Sequence, residues 1–235
     1  MRLSSDILSW DFGHDEASGL EFELRYRASE IWRHARERLS GEPSQFDKSD
    51  AMGALKRAVN HRLKSLRLAY CFDHLPYPGS KRTLEKFQYY GIIRPALIQE
   101  LLAIRNAIEH QDALPPTLES CSRHLDIVWY FLKSTDSLLY LRADNLTFSE
   151  PSGEGELRFD FSFGDSWRIV VWGNVDQKYF CAVGDQDCLL LDETIDRPEY
   201  IKAEVYGLLC PTEEQLTEIA RLYFGDSGFW WDDHL

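Results

Sequence analysis

NLTFSEPSGEGELRFDFSFGDSWRIVVWG, residues 145–173, is the stretch whose reading decides the fold class. Its hydrophobic pattern has period two. The runs NLTFSE, ELRFDFSF and WRIVVWG are rich in β-branched and aromatic residues, the composition of half-buried strands. Gly153, Gly155, Gly164, Gly173 and Gly184 punctuate them at the spacing of hairpins. Further on, QKYFCAVG (177–184) reads as a fourth strand. Pro211-Thr212-Glu213-Glu214 opens an amphipathic helix to about Phe224, and the tail GDSGFWWDDHL is aromatic and acidic.

Toward the N-terminus the period changes to that of a helix. Leu20, Leu24, Ala28, Ile31, Trp32, Ala35 and Leu39 form an i, i+3, i+4 stripe, stopped by Gly41 and Pro43. A second helix is expected from Ser49-Asp50 to about Phe72. Its apolar residues Leu55, Val59, Leu63, Leu66 and Tyr70 fall within about 80° of each other on a wheel. Pro76, Pro78 and Gly79 make a loop. A third helix, from Ile92 to about Gln111, is apolar nearly all round its first turns and should be central in a bundle. Pro115-Pro116 ends it, and Thr117 opens a fourth helix through about Arg142. The expectation is an α+β chain, with a four-helix N-terminal domain (1–143) followed by a small antiparallel β-rich module with a C-terminal helix (144–235).

Composition narrows the function classes. The 235 residues are 44% hydrophobic and 28% charged, ordinary for a globular chain and unlike a disordered or collagen-like one. No apolar run approaches the roughly 18–20 residues that span a bilayer. MRLSSDILSWDFGHDE turns acidic at once and does not read as a signal peptide. The five cysteines, Cys71, Cys121, Cys181, Cys188 and Cys210, are odd in number and form no C-x-x-C pair. They are read as reduced thiols of a cytoplasmic protein.

Net charge is −13, which argues against nucleic acid as a partner until the chain is divided. Residues 1–143 hold 20 Lys+Arg against 19 Asp+Glu; residues 144–235 hold 6 against 20. The first part can therefore hold a basic polynucleotide site, whereas the second would repel one. On the second helix, Lys56, Arg57, Asn60, Lys64 and Arg67 lie opposite the apolar stripe. A row of cations there suits a phosphate backbone. It can equally be a solvated face, and His61 is expected to be exposed on the same helix.

The segment LLAIRNAIEHQDALPP, residues 101–116, carries the chemistry. It sets Arg105, Asn106, Glu109 and His110 at the end of an apolar helix, just before a double proline. Two other Arg-x6-His matches occur, Arg27…His34 and Arg67…His74. Only Arg105 is followed by Asn and preceded by a long apolar run in a third helix. Arg105-Asn106-x3-His110 resembles the signature of the HEPN superfamily, four-helix bundles that include many metal-independent ribonucleases, and the likeness by helix count and order covers about residues 15–142.

That resemblance implies an endoribonuclease that uses no cofactor and leaves a 2′,3′-cyclic phosphate, with a toxin or defence role. Histidine can serve as acid or base near neutrality. Arginine offers phosphate oxygens a permanently charged fork. His110 would be the acid/base and Arg105 would hold the scissile phosphate. Asn106 would assist, and Glu109 would orient Arg105. On a straight helix Arg105 and His110 point about 140° apart, whereas Asn106 and His110 share a face. Pooling two motifs across a homodimer relieves that problem, and the family is generally dimeric. An antitoxin or regulatory protein could dock on the acidic module.

Two other readings stay open. The resemblance also covers non-catalytic RNA- or nucleotide-binding scaffolds. Alternatively Arg105 and Glu109 are an i, i+4 ion pair and His110 only favours the helix dipole. No Walker, G-x-S-x-G or cysteine-rich zinc pattern occurs. His14 with Asp15-Glu16, and Asp232-Asp233-His234, are weak candidates for a divalent ion. Trp167 and Trp172 are expected in the core, and Trp230-Trp231 as a docking anchor.

Overall fold

A computed structural model describes residues 1–79, 83–93, 98–100, 102–104, 106, 114–182, 187–192 and 205–225. The chain divides into two compact units. One comprises Met1–Ser18, Tyr70–Pro78 and Ala143–Leu235; the other comprises Gly19–Ala69 and Gly79–Arg142. A single cut at residue 143 does not describe this division. The first 18 residues and the 70–78 loop belong with the strands, so the chain begins on a strand and the helices are not an N-terminal block.

The described residues of the first unit carry a seven-stranded sheet. Its strands are β1 (Arg2–Ser4), β2 (Asp11–Gly13), β3 (Asn145–Ser149), β4 (Glu156–Phe163), β5 (Trp167–Asn174), β6 (Cys188–Asp192) and β7 (Val205–Leu209). Their order across the sheet is β1-β6-β7-β5-β4-β3-β2, with every neighbouring pair antiparallel. The mixed α and antiparallel β class is therefore as expected. Two of the anticipated runs, 156–163 and 167–173, coincide with strands almost to the residue. QKYFCAVG does not over its described residues: 177–179 is a 3-10 turn, and Phe180 makes an isolated bridge to Leu3.

Alternation on β4 buries Leu157, Phe159 and Phe161, and on β5 Ile169 and Val171. A C-terminal helix, Glu213–Gly225, closes over this face with Ile219, Ala220 and Tyr223 buried. The Tyr223 ring meets Phe161, Phe163 and Trp167 edge-on at 5.0–5.7 Å, the arrangement aromatic quadrupoles prefer. Trp167 also donates its indole N–H to the Tyr70 carbonyl at 2.7 Å, which ties the 70–78 loop to the sheet. Both tryptophans were expected in the core, but each is only half-buried, Trp172 on a polar contact. It lies under the Arg158 guanidinium at 5.3 Å and donates to Asp160 at 2.6 Å.

Cys181 and Cys188 are joined by a disulfide, which corrects the reading of all five cysteines as thiols. Cys71, Cys121 and Cys210 are not in disulfides.

The second unit is helical. Its elements are α1 (Phe22–Arg38), α2 (Gln45–Ala69), α3 (Thr83–Tyr89), helical residues at 98–100, 102–104 and 106, α4 (Leu118–Ser134) and a single turn α5 (Ser137–Tyr140). α3 falls where no helix was expected, and the anticipated fourth helix is interrupted at Thr135-Asp136. α2 lies between α1 and α4 with Ala51, Leu55, Ala58, Val59, Leu63 and Leu66 buried. Trp32 of α1 donates its indole N–H to the Leu125 carbonyl at 2.9 Å, pinning α1 to α4.

Among the described residues of this unit, one arginine sits wholly inside. Arg62 is fully buried. It donates to the Leu132 carbonyl at 3.2 Å, to Thr135 Oγ1 at 3.3 Å and to Asp136 Oδ1 at 2.7 Å. A guanidinium thus occupies the C-terminal end of α4, where carbonyls lack helical partners and the dipole is negative.

Removing one partner of such a pair is worse than removing the charge. Asp136→Asn is expected to lower unfolding stability by about 3 kcal/mol and Arg62→Met by less, measured by urea denaturation. In the sheet, Gly173 has φ +144°, and a Cβ there would run into the Glu156 carbonyl of β4. Gly173→Ala should cost about 2 kcal/mol or more by the same measurement.

Candidate nucleic-acid interface

Placing the N-terminal strands with the sheet sharpens the charge asymmetry. The helical unit has 19 Lys+Arg against 14 Asp+Glu, a net of +5, and the sheet unit 7 against 25, a net of −18. Cations that could meet a polyanion are therefore concentrated on the helices.

The burial pattern of α2 leaves one face outward. Arg57, Asn60 and Lys64 are exposed, and Lys56, His61 and Arg67 are half-buried. This is the row anticipated from the wheel, with His61 deeper than expected. The His61 ring lies 3.5 Å from the hydroxyl of buried Ser65, one turn on. Burial pulls its pKa below the ordinary histidine value, and the charges of Arg27, Lys64 and Arg62 lower it further, with Glu23 opposing them. Arg27, across on α1, is 61% exposed and pairs with Glu30 at 3.0 Å.

The motif segment is described only in part. Asn106 is helical and exposed; Arg105, Glu109 and His110 lie outside the described residues. Upstream, Ile98 is buried and Leu102 and Ile104 are half-buried. Glu100 reaches α4, where Arg123 Nη2 lies 2.5 Å from its carboxylate. Beside it is a residue that sequence reasoning missed. His124 is fully buried, with Nδ1 donating to the Ser120 carbonyl at 2.7 Å and Nε2 3.7 Å from Glu100. A buried histidine at helical spacing from Cys121 and Val128 looks like any core position, so no sequence signal marked it.

Among the described residues no group of three or more His, Cys, Asp or Glu could hold a metal ion. The His14-Asp15-Glu16 candidate is spent on separate hydrogen bonds. His14 Nδ1 donates to the Asn145 carbonyl at 2.9 Å, Asp15 accepts from Thr147, and Glu16 pairs with Arg158 at 2.6 Å. Asp232-Asp233-His234 and Trp230-Trp231 lie outside the described residues. No helix among the described residues is long and apolar enough to cross a membrane. No family model, curated protein or solved structure matches the chain.

His14 supplies a pH prediction. Burial lowers its pKa, outweighing the Asn145 hydrogen bond and the Asp15 charge. The unfolded chain therefore binds a proton that the folded chain resists, and stability is lost as pH falls through the ordinary histidine value of about 6.5. The urea midpoint of the wild type should drop between pH 7.5 and 5.5, and by less in His14→Gln.

Proposed function

We propose that the protein is a metal-independent endoribonuclease of HEPN type, acting as a homodimer in the cytoplasm in a toxin or defence role. The observation that carries the RNA part is the segregation of charge, +5 on the helical unit against −18 on the sheet unit, with Arg57 and Lys64 outward on α2. Lys56 and Arg67 extend that row. The catalytic part rests on the resemblance of Arg105-Asn106-x3-His110, and exposed Asn106 is compatible with it.

The chemistry balances without a metal. A base takes the proton of the ribose 2′-OH, and the 2′ oxygen bonds to phosphorus. The P–O5′ bond breaks, and the leaving oxygen takes a proton, giving a 2′,3′-cyclic phosphate and a free 5′-OH. His110 serves the proton transfers, Arg105 neutralises the crowded phosphoryl oxygens, Asn106 positions the group, and Glu109 orients Arg105.

A second reading, a non-catalytic scaffold that binds RNA, a nucleotide or a protein, is favoured by α4. Adjacent Trp129 and Tyr130 are 38% and 67% exposed there, large aromatic area of the sort that anchors interfaces.

Purified protein is expected to cleave total RNA in EDTA, and His110→Ala and Arg105→Ala to lose at least about a hundredfold in rate. Intact, well-folded wild type that binds RNA without cutting it would establish the scaffold reading. Alkylation of the denatured, unreduced protein should count three thiols, those of Cys71, Cys121 and Cys210, and five after reduction; five before reduction would mean that Cys181 and Cys188 are not bonded.

A further inference from the structure

We propose that the Cys181–Cys188 disulfide is a reducible clasp on the N-terminal strand, which holds β1 in the sheet when oxidised and frees residues 1–5 when a dithiol opens the bond. The proposal concerns the sheet unit alone and stands apart from the RNA reading.

β1 is three residues long, at the short end for a strand, and pairing over so few residues holds a sheet edge weakly. It runs antiparallel to β6, with Arg2 opposite Leu190, Leu3 opposite Leu189 and Ser4 opposite Cys188. Residues on either side lengthen the pairing. The Leu191 N–H donates to the Met1 carbonyl at 2.8 Å, and the Ser5 N–H to the Asp187 carbonyl at 3.2 Å. The other edge of β1 is occupied as well. Leu3 bridges Phe180, and the Cys181 N–H donates to the Arg2 carbonyl at 3.0 Å. One half-cystine therefore bonds β1 at Arg2, and the other faces it at Ser4 from the opposite edge. The S–S bond ties these two flanks together and keeps them from parting around β1.

Opening the bond acts locally. A separation of seven residues closes a short loop, which restrains the unfolded chain less than a long one does. Of the three residues of β1 only Leu3 is buried, whereas β4 and β5 pair along eight residues each. The C-terminal helix grips the same corner, because Gln215 Nε2 donates to the Cys188 carbonyl at 3.1 Å and to the Ser5 hydroxyl at 3.4 Å. Both half-cystines are only half-buried, so a small dithiol can reach them. Its thiolate attacks one Sγ, the S–S bond breaks, and the other Sγ leaves and takes a proton. The second thiol of the reductant, deprotonated in turn, displaces the first Sγ from the mixed disulfide, and that sulfur is protonated. Two electrons and two protons have then passed to Cys181 and Cys188, and the dithiol has become a disulfide. In reducing surroundings the clasp stands open and oxidation closes it, so order at this sheet edge follows the thiol state outside.

The test is backbone hydrogen exchange, read by NMR on the full-length chain. Three samples are compared: oxidised wild type, wild type reduced with dithiothreitol, and the double variant Cys181→Ser/Cys188→Ser. The Ser5 and Leu191 amides report on the two ends of the clasped segment, and the amides of β4 and β5 serve as the internal control. Reduction is expected to speed exchange at Ser5 and Leu191 by at least about tenfold while β4 and β5 change by less than about twofold. The double variant should match reduced wild type and ignore dithiothreitol, and reoxidation with glutathione disulfide should restore slow exchange in wild type. Should the variant fail to fold, the reduced wild type gives the same reading. Exchange at Ser5 and Leu191 that is unchanged by reduction overturns the proposal. Acceleration spread equally through β4 and β5 also overturns it, by making the bond a general staple. Five thiols counted before reduction remove the bond and the clasp with it.

Discussion

The helical unit is organised around the buried guanidinium of Arg62. It reaches from the middle of the longest helix to the Leu132 carbonyl, Thr135 and Asp136, so three hydrogen bonds set the height of α2 against the end of α4. A fully buried cation is costly, and its cost falls only when carboxylate and carbonyl oxygens are at bonding distance. That condition allows one register of α2 along α4 and rejects slipped ones, which hydrophobic contacts alone discriminate poorly. Asp136 also stands at the start of α5, so the same ion pair governs how the chain turns out of α4.

Once α2 is held in that register, its opposite side has little freedom. Arg57, Asn60 and Lys64 face outward because Leu55, Val59, Leu63 and Leu66 face inward. His61 falls at the edge, half-buried, with its ring 3.5 Å from the hydroxyl of buried Ser65. That half-buried position pulls the pKa of the imidazole below the ordinary histidine value. Core packing and electrostatic readiness are two consequences of one helix orientation.

The sheet unit obeys a different logic. Its acidic surplus lies on a fold closed by strands far apart in sequence: β1 pairs with β6, and β2 with β3. β1 and β2 are three residues each and read RLS and DFG. Runs that short carry no usable period, and their pairing energy comes from partners more than a hundred residues away. The disulfide between Cys181 and Cys188 is legible only in space for the same reason, since a seven-residue separation without a C-x-x-C pattern has no distinguishing signature.

Much of the local structure was written in the amino-acid order. Period-two runs at 156–163 and 167–173 and the apolar stripes of α1 and α2 appear as elements close to their expected bounds, because each buries a face that its own periodicity defines. The cation row of α2 was legible for the same reason. Arg62 was legible only in hindsight: it falls about 20° from Leu55 on the wheel, inside the apolar stripe, where a charge must find partners. Which partners, and that His124 would be buried beside Glu100, depended on helices brought together from distant parts of the chain. The sequence by itself determined α1, α2, β4 and β5, the mixed α and β class and the sign of charge along the chain. Tertiary structure alone decided that the N-terminal strands join the C-terminal sheet and that one cation of α2 turns inward. Pairing across long separations is a property of packing, and no local pattern encodes it.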